Sequence, residues 1–188
     1  MIRKEVRQIV SLARSLQPLE DHFNSNNKPR FLALLSPTCL FCLEGARAVQ
    51  RSIIEDFPHV DIGVSVVWIN MMEGDTKAAA ERSARIINDP RVRHFHDPKR
   101  RSGEAIGKSL GWKDKVAWDT YLFYERGSRW MEAPPAPLKW IHQLPWDTQA
   151  DPAHFHTGDD LVEALHKIMK ELTEMLPPFT PKKEGHHG

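Results

Sequence analysis

The chain has 188 residues, with 26 basic and 25 acidic side chains and a formal charge of +1. That length fits one domain with extensions, and the near-neutral charge excludes a strongly basic nucleic-acid binder or an acidic-tail protein as the default class. A hydrophobic content of 40% plus ten glycines excludes a wholly disordered chain, and no run of 18 apolar residues offers a transmembrane helix.

Ile2, Val6, Ile9, Ala13 and Leu16 are spaced by three and four residues, which predicts an amphipathic N-terminal helix ended by Pro18. The polar stretch 21–30 follows as a loop, so 1–27 reads as an N-terminal helix and loop. Arg14 interrupts the apolar stretch and no small-residue cleavage site follows, so no signal peptide is read. The expected location is therefore cytoplasmic, where thiols stay reduced.

Phe31-Leu-Ala-Leu-Leu35 is a continuous apolar run, the pattern of a strand buried on both faces. Ser36-Pro37-Thr38 breaks it. A helix is predicted over 39–56, with Thr38 as N-cap. A second buried strand is predicted over 60–69, a loop over 70–75 and an alanine-rich helix over 76–88. A short strand over 91–96 and a short helix over 103–110 come next, then a strand over 116–124. Glu125-Arg-Gly-Ser128 signals a hairpin, with a partner strand from 129–132. Pro134–Pro137 is read as an extended spacer, and Leu138, Trp140, Ile141, Leu144 and Trp146 as a segment packing back on the body. Together they form a Pro/Trp-rich insertion over about 133–157. Leu161, Leu165, Ile168, Met169, Leu172 and Leu176 form the stripe of a C-terminal helix ended by Pro177-Pro178, and 177–188 is tail-like and expected to be disordered. Alternating strands and helices imply an α/β fold, a sheet with parallel pairs and helices on both faces.

Both cysteines of the chain fall in one motif, Cys39-Leu-Phe-Cys42. Two cysteines placed at random have that spacing about 1% of the time. At a strand-to-helix junction the first helical turn offers free N–H groups and the positive end of the macrodipole, which stabilise a thiolate. Three uses are open: redox exchange, binding of a soft metal or thiol ligand, and two inert buried thiols. His94-x-His96 and His154-x-His156 are paired imidazoles, whose simpler reading is hydrogen-bonded or solvated side chains. The basic run Lys99-Arg100-Arg101, with Arg82, Arg85, Arg91 and Arg93, is read as a solvated face. No nucleic-acid and no membrane partner is expected.

The segment Phe31–Cys42, followed by Arg93-His-Phe-His-Asp-Pro98, 103–111 and Trp118-Asp-Thr-Tyr-Leu-Phe-Tyr124, resembles the thioredoxin-like superfamily. Within it, the match is to the branch with an inserted strand and helix. The resemblance covers about 28–132 together with the C-terminal helix, and implies a three-layer sandwich with a mixed central sheet and helices on both faces over 28–176, and thiol–disulfide exchange with a protein or small-molecule thiol or disulfide. Cys39 would attack, Cys42 would resolve, and the reversible Cys39–Cys42 disulfide would stand in place of an organic cofactor. Thr38, Trp118, Asp119 and Thr120 would line or tune the groove. The family's cis-proline before the Thr facing the dithiol is here Asp119. Because a cis bond before Asp costs about 3 kcal/mol, a trans peptide is expected. A carboxylate there would raise the thiol pKa. It would also complete a Cys39, Cys42, Asp119 set for a soft metal such as zinc, copper or mercury. The peroxiredoxin spacing of Pro and Thr before the cysteine is absent.

Overall fold

The computed structural model describes residues 8–144 and 150–175. Ile2, Val6, Trp146, Leu176 and the tail at 177–188 lie outside them.

The elements run β1 (Val10–Ser11), α1 (Gln17–Asn24), β2 (Arg30–Leu35), α2 (Leu40–Val49), β3 (Gly63–Ile69), α3 (Lys77–Ser83), β4 (Val92–Asp97), α4 (Arg101–Ser109), β5 (Thr120–Tyr124), β6 (Lys139–His142) and α5 (Gly158–Glu174). α2 continues as a π-helical stretch over Gln50–Glu55. The sheet order is β1-β4-β3-β2-β5-β6. The four strands from β1 to β2 are mutually parallel, while β5 and β6 run antiparallel to their neighbours. The α/β alternation and the mixed sheet implied by the resemblance are therefore both found in the fold.

The central strand explains the layering. All six residues of β2 are buried. Phe31, Ala33 and Leu35 enter one core with Cys42, Val49, Ile53, Leu161 and Leu165, under α2 and α5. Leu32 and Leu34 enter the other with Leu19, Phe23, Phe95 and Ile106, under α1 and α4. A period of two with both faces covered produces an unbroken apolar run in sequence.

Three expectations are corrected. The N-terminal helix ended by Pro18 is absent over the described residues. Val10 and Ser11 instead form an edge strand, paired with Phe95 and His96. Ile9 and Leu12 mimic helical spacing, yet they sit in different cores. Pro18 begins a helix rather than ending one: it occupies the first turn of α1, where its missing N–H costs nothing. The helix then covers part of the expected 21–30 loop. The hairpin partner expected at 129–132 is also absent. Asn24 holds Trp130 by both backbone groups, Nδ2 to its carbonyl at 2.6 Å and Oδ1 from its N–H at 2.9 Å. Trp130 is thus committed to α1, and the strand that pairs with β5 is β6, inside the Pro/Trp-rich insertion. Finally, β5 starts at Thr120 rather than 116, because Asp119 has φ of 47°, which no strand residue adopts.

Candidate functional site

β2 ends at Leu35 and delivers the chain to the dithiol through Ser36, Pro37 and Thr38. Cys39, not Thr38, is the N-cap of α2, with extended backbone (φ −77°, ψ 124°). Thr38 is taken up by Asp75, on the loop after β3. Asp75 Oδ1 accepts from the Thr38 N–H at 3.2 Å and the Thr38 hydroxyl at 2.6 Å. Its Oδ2 accepts from the Ser36 hydroxyl at 2.8 Å and from the N–H groups of Met71 and Met72 at 2.7 and 2.8 Å. The Ser83 hydroxyl donates to the Pro37 carbonyl at 2.8 Å. One carboxylate thus clamps the cysteine-bearing loop to its neighbour. Asp75→Ala leaves five donors without an acceptor and is expected to cost about 2 kcal/mol in urea denaturation. An unchanged midpoint would count against the clamp.

Cys39 is 8% exposed and Cys42 fully buried, and both are free thiols. The S–H of Cys42 points to Cys39 and is the main cause that pulls the Cys39 thiol down to about 6. Burial opposes this, the N–H groups of Cys42 and Phe41 assist, and the Asp119 carboxylate works against it. Cys42 is pushed well up, first by burial and then by holding its proton toward Cys39. The two sulfurs are therefore unlike: one is a thiolate at the surface edge, the other a protonated thiol beneath it.

Asp119 completes the group. Each of Cys39, Cys42 and Asp119 offers a ligand atom within 4.8 Å of the others. The peptide before Asp119 is trans, as expected from the cost of the cis form. Its carboxyl is fully buried, and burial raises it to about 6 against the lowering effect of the hydrogen bonds from Gln143 and Tyr121 and of the adjacent Cys42 thiol. Oδ1 accepts from the Tyr121 hydroxyl at 2.8 Å and the Gln143 amide at 2.9 Å. Oδ2 has no partner at hydrogen-bond distance. Thr120 is buried, and its hydroxyl donates to the Trp118 carbonyl at 2.8 Å. Trp118 is half-buried and packs against both cores.

Motif reading missed Gln143, Tyr121 and Asp75. Gln143 follows β6, and its Nε2 also contacts the Phe41 carbonyl at 3.0 Å and the Tyr121 hydroxyl at 3.0 Å. Its N–H donates to the Asp119 carbonyl at 3.0 Å. It ties the sheet edge to the first turn of α2. Nothing in the sequence marks a glutamine 101 residues beyond Cys42 as its neighbour.

The histidine pairs have structural roles. His94 Nδ1 accepts from Trp68 Nε1 at 3.2 Å and its Nε2 lies 2.9 Å from the Ile87 carbonyl, which fixes a neutral tautomer. His96 meets Asn70 at 2.9 Å. His154 stacks on Trp140 with centroids 4.1 Å apart, and His156 pairs with Asp160 at 2.8 Å. In the basic run, Arg100 and Arg101 donate to the Asn70 and Ala13 carbonyls. Among the described residues no helix is long and apolar enough to cross a membrane.

No protein-family model matches the sequence, and no curated protein matches it. Solved structures do. One is a thioredoxin-like protein determined in solution in its oxidized form, 13% identical, with a TM-score of 0.51 over 81% of this chain and 82% of that one. A second is a secreted Mycobacterium tuberculosis disulfide oxidoreductase homologous to E. coli DsbE, 13% identical, with a TM-score of 0.40 over 76% of this chain and 83% of that one. The fold is thioredoxin-like, with its two cysteines at the strand-to-helix junction.

Proposed function

We propose that the chain is a thiol–disulfide oxidoreductase acting through Cys39 and Cys42 on a protein or small-molecule disulfide. The feature that carries this is the asymmetry of the pair: Cys39 at the helix N-cap, 8% exposed and held near 6, with the fully buried thiol of Cys42 donating to it. Cys39 Sγ attacks one sulfur of the substrate, the substrate S–S bond breaks, and the leaving sulfur takes a proton. Cys42 then loses its proton and attacks Cys39 Sγ, which releases the second substrate thiol and leaves Cys39–Cys42 oxidised. Two electrons pass to the substrate, and a thiol reductant returns the pair to the dithiol. Asp119 lies within 4.8 Å of Cys42 and can take up its proton.

The carbonyl at position 119 already accepts from the Gln143 N–H at 3.0 Å. What the surface offers beside Cys39 is apolar. Leu40 is 75% exposed, and Phe41 and Met72 are close to half exposed. A substrate with an apolar surface next to its disulfide fits this face.

The reading predicts catalytic reduction of a reporter disulfide with a small thiol as reductant. Cys39→Ser abolishes turnover, and Cys42→Ser accumulates a mixed disulfide with the substrate. Alkylation of Cys39 in the reduced, metal-free protein rises with a midpoint near 6. No turnover by the native protein, full turnover by Cys39→Ser, or a midpoint above about 8, where a free cysteine titrates, would overturn it.

A further inference from the structure

The geometry points to a second use of this cluster: Cys39, Cys42 and Asp119 form a three-ligand site for one divalent ion of the zinc class. The two sulfurs and a carboxylate oxygen lie within 4.8 Å of one another. Tetrahedral zinc, with bonds of about 2.3 Å to sulfur and about 2.1 Å to oxygen, sets ligand atoms about 3.6–3.8 Å apart. Closing around the ion takes a movement of about 1 Å, within reach of side-chain rotation.

The state of Asp119 is the second, independent observation. It is fully buried, yet Oδ2 has no hydrogen-bond partner. An orphaned buried acceptor is unfavourable, and a bound cation satisfies it. Oδ1, by contrast, is fully engaged by Tyr121 and Gln143. One oxygen held by outer partners and the other free is the arrangement of a monodentate ligating carboxylate.

The donor set selects among ions. Two thiolates alone suit copper(I), whereas two thiolates with a carboxylate suit a borderline divalent ion. Among the described residues no fourth cysteine, histidine or carboxylate joins the cluster. Three protein ligands leave one position, and Cys39, at 8% exposure, is the least buried of the three, so the fourth ligand is water or a small thiol reaching the ion from its side. Coordination replaces the Cys42 S–H proton with the ion. The disulfide form has no thiolate to give, so the ion binds the reduced state alone and slows its oxidation.

The test is zinc binding, read by competition with a chromogenic chelator, with cobalt(II) as a spectroscopic probe. The expected result is one ion per reduced chain, none per oxidised chain, and a thiolate-to-cobalt charge-transfer band. Asp119→Asn, shown to be folded by its circular-dichroism melt, should weaken binding by about tenfold or more. Gln143→Leu, which removes an outer partner, should weaken it about tenfold and serves if Asp119→Asn does not fold. No binding at micromolar zinc overturns the inference, as does native-like affinity in folded Asp119→Asn. Zinc binding that survives when a reporter disulfide is not turned over upholds this inference and sinks the redox reading alone.

Discussion

Replacing Asp119 by Asn is expected to stabilise the metal-free protein by up to about 3 kcal/mol near pH 8 and to leave its stability unchanged below about pH 4. The carboxyl is held at about 6, against an ordinary value of 3.8, and burial is the cause. A raised carboxyl favours the protonated folded state. Its contribution is complete below 3.8 and lost as pH rises through 6, above which the folded chain carries an ionised group in an apolar setting. Asparagine stays neutral throughout, and its carbonyl oxygen can keep the Tyr121 and Gln143 hydrogen bonds. The Cys39 thiol has the opposite sign. Held near 6, below its ordinary value of 9.0, it adds stability that grows as pH rises from 6 toward 9 and is lost as pH falls through 6. Urea denaturation of both proteins with a chelator, near pH 4, 6 and 8, separates the two. The gap between native and variant should open between pH 4 and 6. A constant gap, or a variant less stable near pH 8, would show that Asp119 carries no buried charge. The same substitution removes a charge that raises Cys39, so the thiol should become reactive at still lower pH.

That a carboxylate faces the dithiol followed from the family resemblance, which matches Asp119-Thr120 to the proline-threonine dipeptide opposite the cysteines. The backbone there was not legible. Proline requires φ near −65°, and Asp119 has φ of 47°, so the family's proline cannot be restored by one substitution. The central strands were legible from their own pattern: β2 and β3 are covered on both faces, and apolar residues fill them except at Arg30, Gly63 and Ser65. Edges were harder. β1 has two residues and one neighbour, so Ile9 and Leu12 carry no period that separates a strand from a helix. β6 is separated from its partner by 14 residues, from Glu125 to Leu138, that form no strand, and local turn chemistry at 125–128 pointed to the wrong continuation. The site residues that escaped notice act through contacts distant in sequence. Asp75 reaches Thr38 across 37 positions, and Gln143 reaches Phe41 across 102. Neither belongs to a spacing pattern, whereas Cys39-x-x-Cys42 closes within one helical turn.

Gly45→Ala is expected to cost more than about 3 kcal/mol, although alanine in a helix interior is ordinarily worth about 0.5–1 kcal/mol over glycine. Gly45 lies within α2, and a Cβ there would stand 1.7 Å from the Tyr121 hydroxyl, 2.9 Å from its ring carbon and 3.0 Å from Gln143 Nε2. None of these neighbours yields easily. Tyr121 is fully buried in the β5 layer, and its hydroxyl is pinned by Asp119 and Gln143. The helix must move instead, and it carries Cys42 one turn earlier and the Phe41 carbonyl that Gln143 holds. Stability and the resolving step should fall together. Tyr121→Phe alone removes a hydrogen bond worth about 1 kcal/mol and one of the donors that lower the Asp119 carboxyl, which should rise further. In the Gly45→Ala background the same change deletes the collision with the hydroxyl and leaves the ring carbon at 2.9 Å and Gln143 Nε2 at 3.0 Å. The double variant should therefore be more stable than Gly45→Ala, a coupling opposite in sign to the cost of Tyr121→Phe in the native chain. A Gly45→Ala protein with native stability, or a double variant less stable than Gly45→Ala, would mean that α2 does not rest on the Tyr121 hydroxyl. The dithiol helix would then be held by the Asp75 clamp and its apolar face alone.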